Sequence, residues 1–215
     1  MYGRHQTETE GAAVTVAVLT VDQRGSRTSV DRIPATLAAL ERVVLLRPFE
    51  RTAGDEFQGV LADPAALAPV VEVLLREDAW NIGIGVGEVE QPLPPHARAG
   101  RGAAYLHARD AVTSAKHSPW HLRVAGDATP AVRALETTLW LWAAVLARRT
   151  ARGWEVADLV DEGLSYDEAG QRIGISQSAV SQRAQAAGIV EGRRARELVT
   201  HLASALVDGT DRATP

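Results

Sequence analysis

A chain of 215 residues has room for one large domain or two small ones, and 46% apolar content is enough for a real core, which excludes a disordered tail. The net charge of −4 excludes a general polycation, so any nucleic-acid contact must come from a local patch. There is no cysteine, which removes disulfides and thiolate metal sites. The apolar run Val14–Val21 has eight residues with Thr among them, far short of the ~20 that span a bilayer. The opening stretch Met1–Gly11 has no hydrophobic signal core. The expectation is a cytoplasmic protein with no membrane partner.

In chain order, Val14–Val21 is rich in β-branched residues and reads as a buried strand running into the loop Asp22–Ser26. Arg32–Arg42 carries Ile33, Leu37 and Leu40 at the spacing of one helix face. Leu45–Thr52 and Glu56–Leu61 read as strands meeting at Ala53-Gly54-Asp55, where glycine suits a tight turn. Pro64–Glu77 is a helix with Asp63 placed to cap it. Trp80–Val89 alternates Ile82, Ile84 and Val86 with Gly83, Gly85 and Gly87, a strand with one face stripped of side chains. Either a ligand or a helix must approach that face closely. Arg98–His117 is an alanine-rich helix and Trp120–Val124 a short strand. The order β-α-β-β-α-β-α-β fits an α+β fold, a ferredoxin-like or palm-like domain over residues 1–128 with its helices on one face.

Everything after Gly126–Pro130 reads as helix. Val132–Arg149 is apolar over a wide arc that includes Leu135, Leu139, Trp142 and Leu146. Such a helix is buried on more than one side, so residues 129–153 form a connecting helix, either a core connector or the seam of a homodimer. Residues 154–215 then make an all-helical domain. In it Trp154–Gly163 forms a first helix. Ser165 with Glu168 three residues on is a capping box for a second. Gly170 sits where two helices cross, Gly174 takes the turn, Ile173 and Ile175 pin it, and Ser176 caps a third helix whose Val180 faces inward. This spacing resembles the helix-turn-helix of sigma-factor promoter-reading domains and of many repressors.

The outward positions on that third helix are Gln177, Ser178, Ser181, Gln182 and Arg183. These are short or forked hydrogen-bonders; Gln pairs bidentately with adenine and Arg with guanine in the major groove. Ser176 at the helix start, and Arg193, Arg194 and Arg196 beyond its end, suit backbone phosphates. Residues 1–128 hold 13 basic and 16 acidic side chains, whereas Arg172–Arg196 holds five arginines against one acid. Double-stranded DNA is the expected partner, bound by a homodimer because such proteins usually take paired half-sites. A plain helical hairpin used for protein contact is the alternative.

A second constellation lies in the N-terminal half. Asp22 ends the first strand, and Asp55 and Glu56 follow the turn at Gly54. With the first strand central in the sheet, Asp22 and Asp55 converge. Paired carboxylates of this kind hold a hard cation such as Mg²⁺ when nucleotide phosphates complete the shell. Ser26 and Arg27, with Arg51 and Arg101, are candidates for an anionic ligand. The competing reading is a hairpin turn plus salt bridges of Asp22 with Arg24, Arg27 or Arg51. The six histidines show no metal-ligand spacing.

The segments Asp22-x-x-Gly25-Ser26-Arg27, Asp31-Arg32, Gly54–Gln58, Ile82–Glu88, Gly102–Tyr105 and Ala108–Ala111, together with the terminal helix-turn-helix, resemble the SatD family over almost the whole chain. The Gly54–Phe57 stretch is also similar to the signature of diguanylate cyclases, whose palm-like domain has the strand order inferred above. Here Ala53 stands where that signature has its first glycine, and Asp22 is followed by Gln-Arg-Gly-Ser. Lys116 lies near where cyclases place a phosphate-binding lysine. The helix-turn-helix residues lead to a DNA-binding regulator with an N-terminal sensing or dimerisation domain as the expected function. The alternative is a metal-dependent enzyme that binds or converts a nucleotide, with an accessory helix-turn-helix.

Overall fold

The computed structural model describes residues 14–127 and 129–208; the Met1–Gly11 stretch and the boundary residue Ala128 lie outside them. The strands are β1 (Val14–Gln23), β2 (Arg47–Ala53), β3 (Glu56–Leu61), β4 (Trp80–Val89) and β5 (Leu122–Ala125). The sheet domain carries helices α1 (Ile33–Leu40), α2 (Leu67–Glu77) and α3 (Ala103–Ala115). Then come α4 (Thr129–Leu146), α5 (Ala151–Asp161), α6 (Tyr166–Ile173), α7 (Gln177–Ala186) and α8 (Ile189–Val207). The fold is mixed α+β. Among the described residues one sheet runs β2-β3-β1-β4-β5, antiparallel except for the parallel β4–β5 pair.

Strand alternation sorts the core into two layers. Ala17, Leu19, Val21, Phe57, Leu61, Ile82 and Ile84 face one side, where α1, α2, α4 and α8 cover them. Val16, Val18 and Val60 face the other, against Ala104 and Ala108 of α3. The helices therefore lie on both faces of the sheet, not on one as the element order suggested. The cause is the glycine row of β4. A Cβ on Gly83 or Gly85 would collide with backbone atoms of Ala108, Val112 or Ala104, so α3 lies directly on the bare strand. A helix, not a ligand, fills that space.

The helical part is built from local signals. Ser165 and Glu168 form the reciprocal capping box at the start of α6. The Ser165 hydroxyl and backbone N–H together hold the Glu168 carboxyl below its ordinary value. Gly174 turns the chain with φ 71°, a left-handed conformation that suits glycine. At Gly170 a Cβ would press on the Ile175 carbonyl at 2.7 Å, so only glycine allows the two helices to cross there. Val156, Ala169, Val180 and Ala184 make the small core beneath. Replacing Ser165 with alanine is expected to destabilise the protein by about 1 kcal/mol, through loss of the hydroxyl's hydrogen bonds with Glu168, while the backbone N–H keeps its own; equilibrium urea unfolding reads it.

The helical part is not a separate bead. The arc of α4 formed by Leu135, Leu139, Trp142 and Leu146 is buried within the chain, in the same core as the sheet. Helix α8 serves two cores: Ile189 at its start packs with Val180, while Val199, Ala203 and Leu206 pack on the sheet side. Among the described residues no helix is long and apolar enough to cross a membrane.

Candidate functional site

Helix α7 presents two different faces. Val180 and Ala184 are buried at 0% and 3% exposure. Gln177, Ser178, Ser181 and Gln182 are exposed, and with Gln185 they form an unbroken polar row along the solvent side. Ser176 caps the helix by accepting from the Ala179 N–H at 3.2 Å and shares a 3.0 Å hydrogen bond with the Ser178 hydroxyl. Arg183 is half-buried on the flank, its guanidinium 3.9 Å from Glu155 of α5. The inward position beside it is filled by Ala184. Arg193 and Arg194 on α8 are exposed, and Arg194 pairs with Glu197 at 3.0 Å. Arg196 differs from its sequence reading as a phosphate contact: it binds Glu72 of α2 and Asp161 of α5, and so is structural.

A row of fixed bonds holds this helical part on the sheet domain. Arg76 of α2 grips Asp158 of α5 through both terminal nitrogens, at 2.7 and 2.9 Å. Arg149 has a side chain only 4% exposed; it donates to the Ala187 carbonyl at 2.9 Å and to Glu72 at 3.3 Å. Burial pulls its pKa down, and Glu72 works against that shift. The Arg76 and Arg149 guanidinium carbons also lie 4.4 and 4.6 Å from the centre of the Trp154 ring, an arrangement that adds cation–π attraction. The pairs Arg76–Asp158, Arg149–Glu72 and Arg149–Ala187 were not visible in the sequence, because their residues are far apart along the chain.

The second constellation assembles at the end of β1. Asp22 faces Glu56 of β3 and Asn81 of β4 across the sheet. Its carboxylate accepts from Asn81 at 3.0 Å and lies 3.3 Å from Lys116 Nζ. Asp55, in the β2–β3 turn, accepts a hydrogen bond from the Ser26 hydroxyl. Asp22, Ser26, Arg27, Asp55 and Lys116 line one open pocket of ≈ 550 Å³, so the two aspartates do converge. Their neighbours differ from those expected: Arg24 pairs with Asp78 and Arg51 with Asp31, while Lys116 takes Asp22. Glu56 does not line the pocket. Its carboxylate is bound by Arg109 at 2.8 and 3.2 Å and by Thr52 at 2.8 Å. Arg101 lies at the far end of β4, where its carbonyl accepts from the Glu90 N–H.

The loop over this pocket is shaped by a residue that sequence reasoning passed over. Gln23, 4% exposed, donates to the Ser29 hydroxyl at 2.9 Å and to the Val30 carbonyl at 2.7 Å, and accepts from the Arg32 N–H at 2.9 Å. A polar residue in register with the inward Ala17, Leu19 and Val21 was the available signal. His121 lines the same pocket; burial first, then Arg24, lowers its pKa below the ordinary 6.5. As a resident metal site the donor set does not fit. Lys116 supplies the positive charge beside Asp22, and among the described residues no group of three His, Cys, Asp or Glu side chains is placed to hold an ion.

No family model, no curated protein and no solved structure matches the chain.

Proposed function

We propose that the chain is a DNA-binding transcriptional regulator: α6 and α7 form a helix-turn-helix, α7 enters the major groove of double-stranded DNA, and the ferredoxin-like sheet domain senses a ligand or mediates dimerisation. The observation that carries this reading is the exposed row Gln177, Ser178, Ser181, Gln182 on a helix whose opposite face is anchored by Val180 and Ala184. Amides and hydroxyls in such a row match the donor and acceptor pattern of base edges. The capped helix start, with Arg193 and Arg194 exposed on α8, supplies backbone contacts.

The test is retardation of duplex DNA at two salt concentrations, followed by selection of preferred sequences from a random pool. The intact protein is expected to bind with affinity that falls steeply as salt rises. The Q177A/Q182A/R183A variant is expected to lose about tenfold or more in preference for the selected site, since each bidentate base contact contributes about 1–3 kcal/mol of discrimination. Its non-specific binding should change little. A variant with the parent's full sequence preference would remove α7 from the interface.

A second reading is favoured by one observation, the convergence of Asp22 and Asp55 on the pocket at the end of β1. On that reading the pocket holds a nucleotide, with Ser26, Arg27 and Lys116 toward its anionic groups. Calorimetric titration of the four ribonucleoside triphosphates, with and without Mg²⁺, tests it. Saturable heat that is lost in Asp55→Asn supports it; silence with all four removes it.

A further inference from the structure

Between the sheet domain and the helical part lies a second, more enclosed cavity of ≈ 180 Å³. Leu74 of α2, Ile82 of β4 and Leu146 of α4 form its apolar walls; Trp120 offers an exposed aromatic surface, while the buried Trp80 and the half-buried Trp154, the latter under the Arg76 and Arg149 guanidinium groups, complete the lining. We propose that this cavity is a binding site for a small, neutral, planar aromatic molecule.

Left-handed backbone gathers at this place. Among the described residues the non-glycine residues with positive φ are Asp78 at 46°, Trp120 at 57° and His121 at 50°. Asp78 and Trp120 both line the cavity, and His121 is the next residue in the chain. Trp120 is the outlier of the three, a bulky side chain in the left-handed region, and such residues cluster where a ligand is clamped. That conformation has a visible product. It holds the Trp120 ring at the cavity, 41% exposed, where a guest would cover it.

Size and charge define the guest. A cavity of roughly 150 Å³ holds a benzene ring, so this one takes one ring or a compact fused pair. Every charged group on its wall already has a partner: Arg76 has Asp158, Arg149 has Glu72 and Asp78 has Arg24. A charged guest would have to break one of those pairs, whereas a neutral one leaves them intact. Flat rings stack on indole faces and on guanidinium planes, and both surfaces are present.

Isothermal titration calorimetry with indole as the probe tests the site on the full chain. Saturable 1:1 heat in the millimolar range or tighter is expected. Ala147 is exposed and lines the cavity, so Ala147→Phe should fill it and reduce binding at least tenfold while leaving the circular dichroism spectrum of the parent. Trp120→Ala should weaken indole binding without filling the space. Absence of saturable heat up to the solubility of indole would overturn the proposal. So would undiminished binding in a folded Ala147→Phe protein, and so would tighter binding of benzoate, which carries the charge the site has no free partner for. The readout is independent of DNA binding, so neither reading falls with the other.

Discussion

Exchange of Glu72 for alanine is expected to destabilise the protein by about 3 kcal/mol, because it strands a buried guanidinium. Glu72 has only 12% of its side chain exposed and serves both Arg149 and Arg196. Arg149 is the costly partner. At 4% exposure it keeps its bond to the Ala187 carbonyl but loses its hydrogen-bonded carboxylate, leaving only the more distant charge of Asp161. Arg196 retains Asp161 and contributes less. Denaturant unfolding of the parent, Glu72→Ala, Arg149→Met and the double variant forms a cycle. The double variant should recover part of the loss, since an apolar pair leaves no unpaired charge behind. A Glu72→Ala protein within about 0.5 kcal/mol of the parent, the range of an ordinary surface exchange, would show that the cluster does not hold the helical part in place.

The glycine row of β4 supports the other large effect. Gly85→Ala is expected to destabilise by about 3 kcal/mol or to prevent folding, because the new methyl group meets the Ala104 carbonyl and the Ala108 N–H, both backbone and unable to rotate away. Gly87→Ala is the internal control. Its methyl group would meet the nearest backbone atom, Ala104 N, at 3.1 Å, a contact that a small shift relieves. Thermal unfolding should therefore rank the parent first, Gly87→Ala slightly below it and Gly85→Ala far below. Equal losses at the two positions would mean that α3 is free to lift off the strand.

The elements were legible where the signal is local. The capping box at Ser165, the turn at Gly174 and the β4 alternation each lie within a few residues, and each element stands where its pattern placed it. The meeting of Asp22 with Asp55 was also readable, since it follows once β1 is taken as a central strand. What escaped depends on which side a helix takes. Nothing in the alanines of α3 says that they oppose the face covered by α1 and α2. That choice decides that Lys116 reaches Asp22 and that Arg109 withdraws Glu56 from the pocket. The reassignment of Arg196 from phosphate contact to ion pair has a similar origin, since Glu72 lies 124 residues away in the chain. The left-handed conformation of Trp120 left no sequence sign, because a bulky side chain disfavours it.

The double allegiance of α8 has a consequence for dissection of the protein. A single rod whose first turn belongs to one hydrophobic cluster and whose last turns belong to another ties their melting together. Differential scanning calorimetry should give one endotherm in place of two, and an excised 154–215 fragment should lack a stable fold, because Val199, Ala203 and Leu206 would lose their cover. Whatever alters the packing of α8 on the sheet then bears on the base of α7, the helix that carries Gln177 and Gln182, because Ile189 shares a cluster with its Val180.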